Sequence, residues 1–158
     1  MGKVGRAATV ASKQRTETLG NGTSAAVAKN IGKDETGELY LIDHNHASNL
    51  TITLPPKRDG AYFKFIWKTA MTDNTARVVF NSNTNTAGDF GGTIVEYTTH
   101  ATDGAVATET CGSEDVLTIG GSDDTAIGSW LEVVCDGTTW WWTGNIIGAA
   151  VGLAVFST

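Results

Sequence analysis

Apolar and polar residues alternate with a period of two along several short stretches of the chain. Residues 50–54 show it most cleanly: Leu50, Ile52 and Leu54 fall on one face, Thr51 and Thr53 on the other, as a half-buried strand requires. Pro55-Pro56 ends the run, since proline offers no ladder donor. After an Asp59-Gly60 turn, residues 61–68 alternate again, with Phe63, Phe65 and Trp67 opposite Tyr62, Lys64, Ile66 and Lys68. The uniformly aromatic set is the expected core face. Residues 38–43, 76–80, 91–98 and 116–119 read as further strands, and 99–114 as a long loop interrupted near Val106. Residues 130–142 read as strand, turn, strand, because Asp136-Gly137 supplies the positive φ of a two-residue hairpin. Trp140 and Trp142 then share one face, with Trp141 on the other. Eight to ten short strands predict an all-β protein with a β-sandwich or jelly-roll-like body. No segment repeats at a fixed period, which argues against a solenoid.

Residues 1–35 lack this periodicity and read as an extended basic N-terminal arm ahead of a body spanning 36–158. The net charge of −6 conceals a split: residues 1–30 carry five Lys or Arg against one Glu, a net +4, and residues 31–158 carry six against sixteen, a net −10. Lys3, Arg6, Lys13, Arg15 and Lys29 are therefore candidate docking cations on an arm that seeks an acidic protein surface. Deleting residues 1–30 is expected to leave the body folded. The acidic body speaks against nucleic acid as a partner, because phosphate binding needs a concentrated positive face. Charged residues make up 18% of the chain, below the roughly 25% of typical soluble domains; with abundant Thr and Gly, that composition favours strands over helices. Residues 7–11 are too short and polar for a signal core. The apolar stretch 146–156 is eleven residues, against about twenty for a membrane helix. No membrane association is expected; the stretch reads as a buried strand or as a subunit interface built from Ile146, Ile147, Val151, Leu153, Val155 and Phe156.

Candidate chemistry is sparse. His44 and His46 would share a strand face and could hold zinc with a third ligand such as His100, although polar turns carry histidines routinely. Asp123-Asp124 with Glu114-Asp115 could gather calcium, but the register of a calcium loop is missing. Cys111 and Cys135 have no metal-ligand spacing; Cys135 reads as a buried thiol in its strand, and a disulfide between the two is the less favoured reading. No nucleophile elbow, phosphate loop or zinc-protease motif occurs. Neither catalysis, a metal nor a cofactor is expected. An exposed Trp141, with Tyr97, could instead contact a glycan or a partner.

Two signatures resemble a known group. Residues 35–43 (Glu-Thr-Gly-Glu-Leu-Tyr-Leu-Ile-Asp), leading into 50–55 (Leu-Thr-Ile-Thr-Leu-Pro) and 60–66 (Gly-Ala-Tyr-Phe-Lys-Phe-Ile), are one; residues 128–140, closing on Asp136-Gly137-Thr138-Thr139-Trp140, are the other. Together they resemble virion proteins of tailed bacteriophages, namely capsid decoration (cement) proteins and related tail-fibre β-modules. The resemblance implies a noncatalytic protein of the capsid surface, made in the host cytoplasm. It further implies binding to the major capsid protein and self-association, commonly as a homotrimer, with a tail-fibre module recognising host glycans as the alternative.

Overall fold

The computed structural model describes residues 14–26, 28–84, 86–99, 104–120 and 125–158. In the first half of the chain, successive strands alternate between two sheets. β1 (Thr16–Gly22), β3 (Leu39–His44) and β5 (Tyr62–Trp67) lie side by side in one sheet; β2 (Lys29–Asn30), β4 (Asn49–Thr53) and β6 (Arg77–Asn81) do so in the other. All four pairings among them are parallel. The chain thus winds as a flattened coil of three turns. Its turns differ in length: Thr16 pairs with Leu39 and Leu39 with Lys64, whereas Lys29 pairs with Ile52 and Asn49 with Arg77. Unequal turns leave no fixed repeat in the sequence, although the winding itself is repetitive.

The second half closes the two sheets with β7 (Phe90–Thr98), β8 (Val106–Cys111), β9 (Val116–Gly120), β10 (Trp130–Cys135), β11 (Trp140–Gly148) and β12 (Ala154–Ser157). The seven-stranded sheet runs β1-β3-β5-β10-β11-β7-β8, and the five-stranded sheet β12-β9-β6-β4-β2. This is an all-β, sandwich-like architecture with mixed pairing, unlike the antiparallel order of a jelly roll.

Alternation decides which side chains fill the space between the sheets. Leu50, Ile52, Phe63, Phe65, Trp67, Trp140 and Trp142 are all buried, so the faces read from the pattern are the faces used. Aromatic rings join the layers, Phe65 meeting Phe80 at 4.8 Å between centroids and Trp142 meeting Phe80 at 5.0 Å, while Trp142 also meets Phe90 of its own sheet at 5.4 Å. The tilted and edge-on geometries suit ring quadrupoles. Each such side chain contributes roughly 1.5–3 kcal/mol through burial.

Four expectations are corrected. Residues 14–35 are not an arm outside the body: β1 and β2 are edge strands of the two sheets, and Leu19 and Ile31 lie in the core. The Asp136-Gly137 hairpin has four loop residues, since the last register pair is Cys135 with Trp140; Gly137, at φ +94°, takes the left-handed position. Residues 106–111 form a strand inside what reads as loop. The apolar stretch 146–156 is not one strand, because Ile146 and Ile147 end β11 and the chain then crosses to β12 in the other sheet.

That crossing is held by a buried carboxylate. Glu96 of β7 accepts the backbone N–H groups of Gly152, Leu153 (3.2 Å) and Ala154 (2.8 Å). It fastens the start of β12 to the opposite sheet and satisfies donors that burial would otherwise strand.

Candidate functional site: the outer face of the seven-stranded sheet

One face of a sheet in a two-layer fold looks outward, and alternation normally makes it polar. The five-stranded sheet conforms in part, with Asn49, Thr51, Arg77, Asn81 and Thr118 at outward positions. The seven-stranded sheet departs from the rule. Leu41, Ile66 and Trp130 are register partners across β3, β5 and β10, and each is only half-buried. Tyr62, Val134 and Trp141 form a second row across β5, β10 and β11. Between the rows stands one charged pair, Lys64 and Glu132, at 2.7 Å, and the Lys64 ammonium sits 4.9 Å from the Trp130 ring centroid.

Trp141 is 50% exposed and yet fixed in place. Its Nε1 donates to Asp136 Oδ2 at 2.7 Å, and its ring lies over Gly91, the paired residue on β7. Asp136 also accepts from Thr138 and Thr139, closing the hairpin loop; these bonds, led by that from Trp141, hold its carboxyl far below the usual range. Tyr97 is 42% exposed and pairs with Ile147. It lies six residues along β7 from Gly91, or about 20 Å at a strand's rise, so no single sugar ring could touch both aromatics.

The other expected site residues scatter. Lys3, Arg6 and Lys13 lie outside the described residues. Arg15 pairs with Glu38 at 3.4 Å. Lys29 bridges Glu17 at 2.8 Å and Glu35 at 2.9 Å and is engaged within the protein, whereas Arg15 keeps 76% of its side chain exposed. Of the expected interface, Ile146, Leu153 and Phe156 are buried in the protomer's own core, Ile147 is half-buried, and Val151 and Val155 are exposed.

His44 and His46 both hold the β3–β4 turn through Ser48, His44 Nε2 bonding its carbonyl and His46 Nδ1 its hydroxyl, each at 2.8 Å. Burial pushes the His44 pKa down, against the opposing pull of that carbonyl. His100, Asp123 and Asp124 lie outside the described residues. Glu114 accepts the Cys111 thiol at 3.0 Å and the Gly112 and Ser113 N–H groups at 2.8 Å, which lower its pKa to about 2. Burial first, and that carboxylate second, push the Cys111 thiol up to about 12.

A polar cluster that the sequence reading overlooked lies where β1 and β2 form adjoining sheet edges. Glu17, Glu35 and Glu38 present oxygens within 4.8 Å of one another, and Lys29 supplies the cation among them. Burial alone would raise the pKa of Glu35, but bonds from Lys29 and the Gly32 N–H outweigh it and hold the pKa down. A cavity of about 300 Å³ opens beside the cluster, lined by Leu19, Gly20, Ala25, Ala26 and Lys29 among others. Nothing in the local pattern marked this cluster, because its members belong to three different strands and loops.

Among the described residues, no helix is long and apolar enough to cross a membrane. No protein-family model, curated protein or solved structure matches this chain.

Proposed function

We propose that this chain is a noncatalytic virion structural protein, a decoration (cement) protein that binds the outside of a phage capsid. The observation that carries the reading is the placement of charge. Lys29 is consumed by carboxylates of the body, which leaves Lys3, Arg6 and Lys13, net +3, with the largely exposed Arg15 just beyond them, ahead of residues 14–158 at net −9. That segment joins the body at β1, an edge strand of the larger sheet, from which a short basic strand could extend along an acidic shell protein. Many weak contacts repeated over a shell sum to substantial stabilisation. The sequence signatures at 35–66 and 128–140 point the same way by resemblance.

The test is cryo-electron microscopy of virions from the phage that encodes the chain, with binding of full-length and residue 14–158 protein to undecorated capsids. Density on the capsid surface, and loss of binding on removing residues 1–13, is the expected result. Saturation of capsids by the truncated protein would refute the docking segment.

A second reading rests on one observation, the exposed and pinned indole of Trp141. It makes the chain a tail-fibre module that stacks host glycans. That reading requires Trp141→Ala to abolish host adsorption, and a glycan array without binding counts against it.

A further inference from the structure

We propose that the outer face of the seven-stranded sheet binds a second copy of this chain, sheet against sheet, about a two-fold axis. This goes beyond the proposed function: it puts self-association on a different face from the 146–156 stretch, and in two copies instead of three.

Three observations select a second copy as the occupant. The first is composition. The rows Leu41–Ile66–Trp130 and Tyr62–Val134–Trp141 cross the middle of the sheet in register, an arrangement that exposed sheets avoid unless something covers them. The second is charge. The chain is net −6, so two copies repel over most of their surfaces. In the middle of this face the ions are paired internally, Lys64 with Glu132 at 2.7 Å and Lys68 with Asp43 at 2.9 Å, so its centre is neutral. The Asp136 carboxylate, held by N–H and O–H donors alone, stands at its edge on the hairpin loop beside Trp141. Self-contact meets the least repulsion at the centre. The third is area. The four strands that carry the rows, β3, β5, β10 and β11, about 4.8 Å apart and six residues long, give a projected face of roughly 400 Å². Side-chain relief raises the accessible area above that projection, towards the roughly 800 Å² per partner of a stable interface.

The face is also self-complementary. An axis running along the strands between β5 and β10 sets each Lys64 over Glu132 of the second copy. The same rotation keeps position along the strands, so each apolar row meets its own counterpart. Such isologous contacts close as dimers, and aligned sheets pack face to face in this way. A glycan fits the face less well. The carboxylates nearest the rings are engaged, Asp136 by Trp141, Thr138 and Thr139 and Glu132 by Lys64, so a sugar would find neither carboxylate uncommitted there.

Sedimentation equilibrium on the purified full-length chain tests the proposal without capsids, so failure of the capsid reading leaves this result untouched. The wild type is expected as a dimer at micromolar concentration. Val134→Lys should weaken dimerisation at least 100-fold while keeping the wild-type circular dichroism spectrum. Thr118→Lys, on the outer face of the other sheet, should still dimerise. If Val134→Lys fails to fold, Trp141→Lys serves in its place, since that side chain is half exposed. A monomeric wild type at 100 µM, a trimer by mass, or equal dimerisation by the Val134 and Thr118 variants would each overturn it.

Discussion

The indole of Trp141 rests on the one residue of β7 that offers it room. A Cβ built on Gly91 would stand 2.8 Å from the nearest ring carbon of Trp141. The neighbouring glycine differs in kind: a Cβ on Gly92 would lie 2.0 Å from the Trp142 carbonyl oxygen, at φ +117°. Gly91→Ala is therefore expected to tilt an exposed ring, leaving stability within about 1 kcal/mol. Gly92→Ala should cost roughly 3 kcal/mol or more, because the rigid β7–β11 ladder cannot yield and the backbone conformation excludes side chains. Urea unfolding separates the two, and acrylamide quenching should rise in the Gly91 variant alone.

Glu96 offers a sharper test of packing. Replacing it with Ala removes the acceptor for the buried N–H groups of Leu153 and Ala154. A loss of roughly 3 kcal/mol is expected. Hydrogen exchange should accelerate first at Leu153, Ala154 and Phe156, since β12 loses its tie to the larger sheet.

Two truncations should part company. Removing residues 1–13 takes away none of the described structure and should leave the melting temperature nearly unchanged. Removing residues 1–30 deletes β1 and β2, with Leu19 and the Lys29 bridge. Loss of the Leu19 side chain alone is worth about 2–5 kcal/mol, a large part of a domain's 5–15 kcal/mol. The shorter protein is expected to be unfolded or molten by near-ultraviolet circular dichroism.

Acid should destabilise the fold in a defined window. Several carboxyls have lowered pKa values in the folded state: Glu35 through Lys29, Asp89 through Lys57 and Thr84, each against the opposing effect of burial, and Glu114 at about 2 through Cys111 and backbone N–H groups. A depressed folded value stabilises above the unfolded one, near 4.5 for Glu, and that stabilisation is lost as pH falls through the folded value. The urea midpoint should hold steady down to about pH 5 and decline progressively towards pH 2. A midpoint independent of pH across that range would contradict these assignments.

The inner face of each strand was legible because it needs only a period of two. Phe63, Phe65 and Trp67 declare themselves against Tyr62, Lys64 and Ile66, and Trp140 and Trp142 against Trp141, since burial follows alternation within one strand. Residues 14–35 were illegible for the same reason. β1 contributes Leu19 alone to the core, and β2 is two residues long, so neither spans enough of the chain to show a period.

Local pattern by itself determined that this protein is all-β, which side chains meet between its layers, and that its charge is divided along the chain. Only the tertiary structure decided which strands became neighbours. The parallel coil of the first six strands and the Glu96 clamp on β12 join residues far apart in sequence, and the carboxylates around Lys29 are gathered from β1 and from the loop before β3. The apolar rows on the outer face likewise exist only once register aligns Leu41 with Ile66 and Ile66 with Trp130. Alternation fixes the side of a strand on which a residue stands. Pairing between strands is set by long-range burial and hydrogen bonding, for which a local period carries no information.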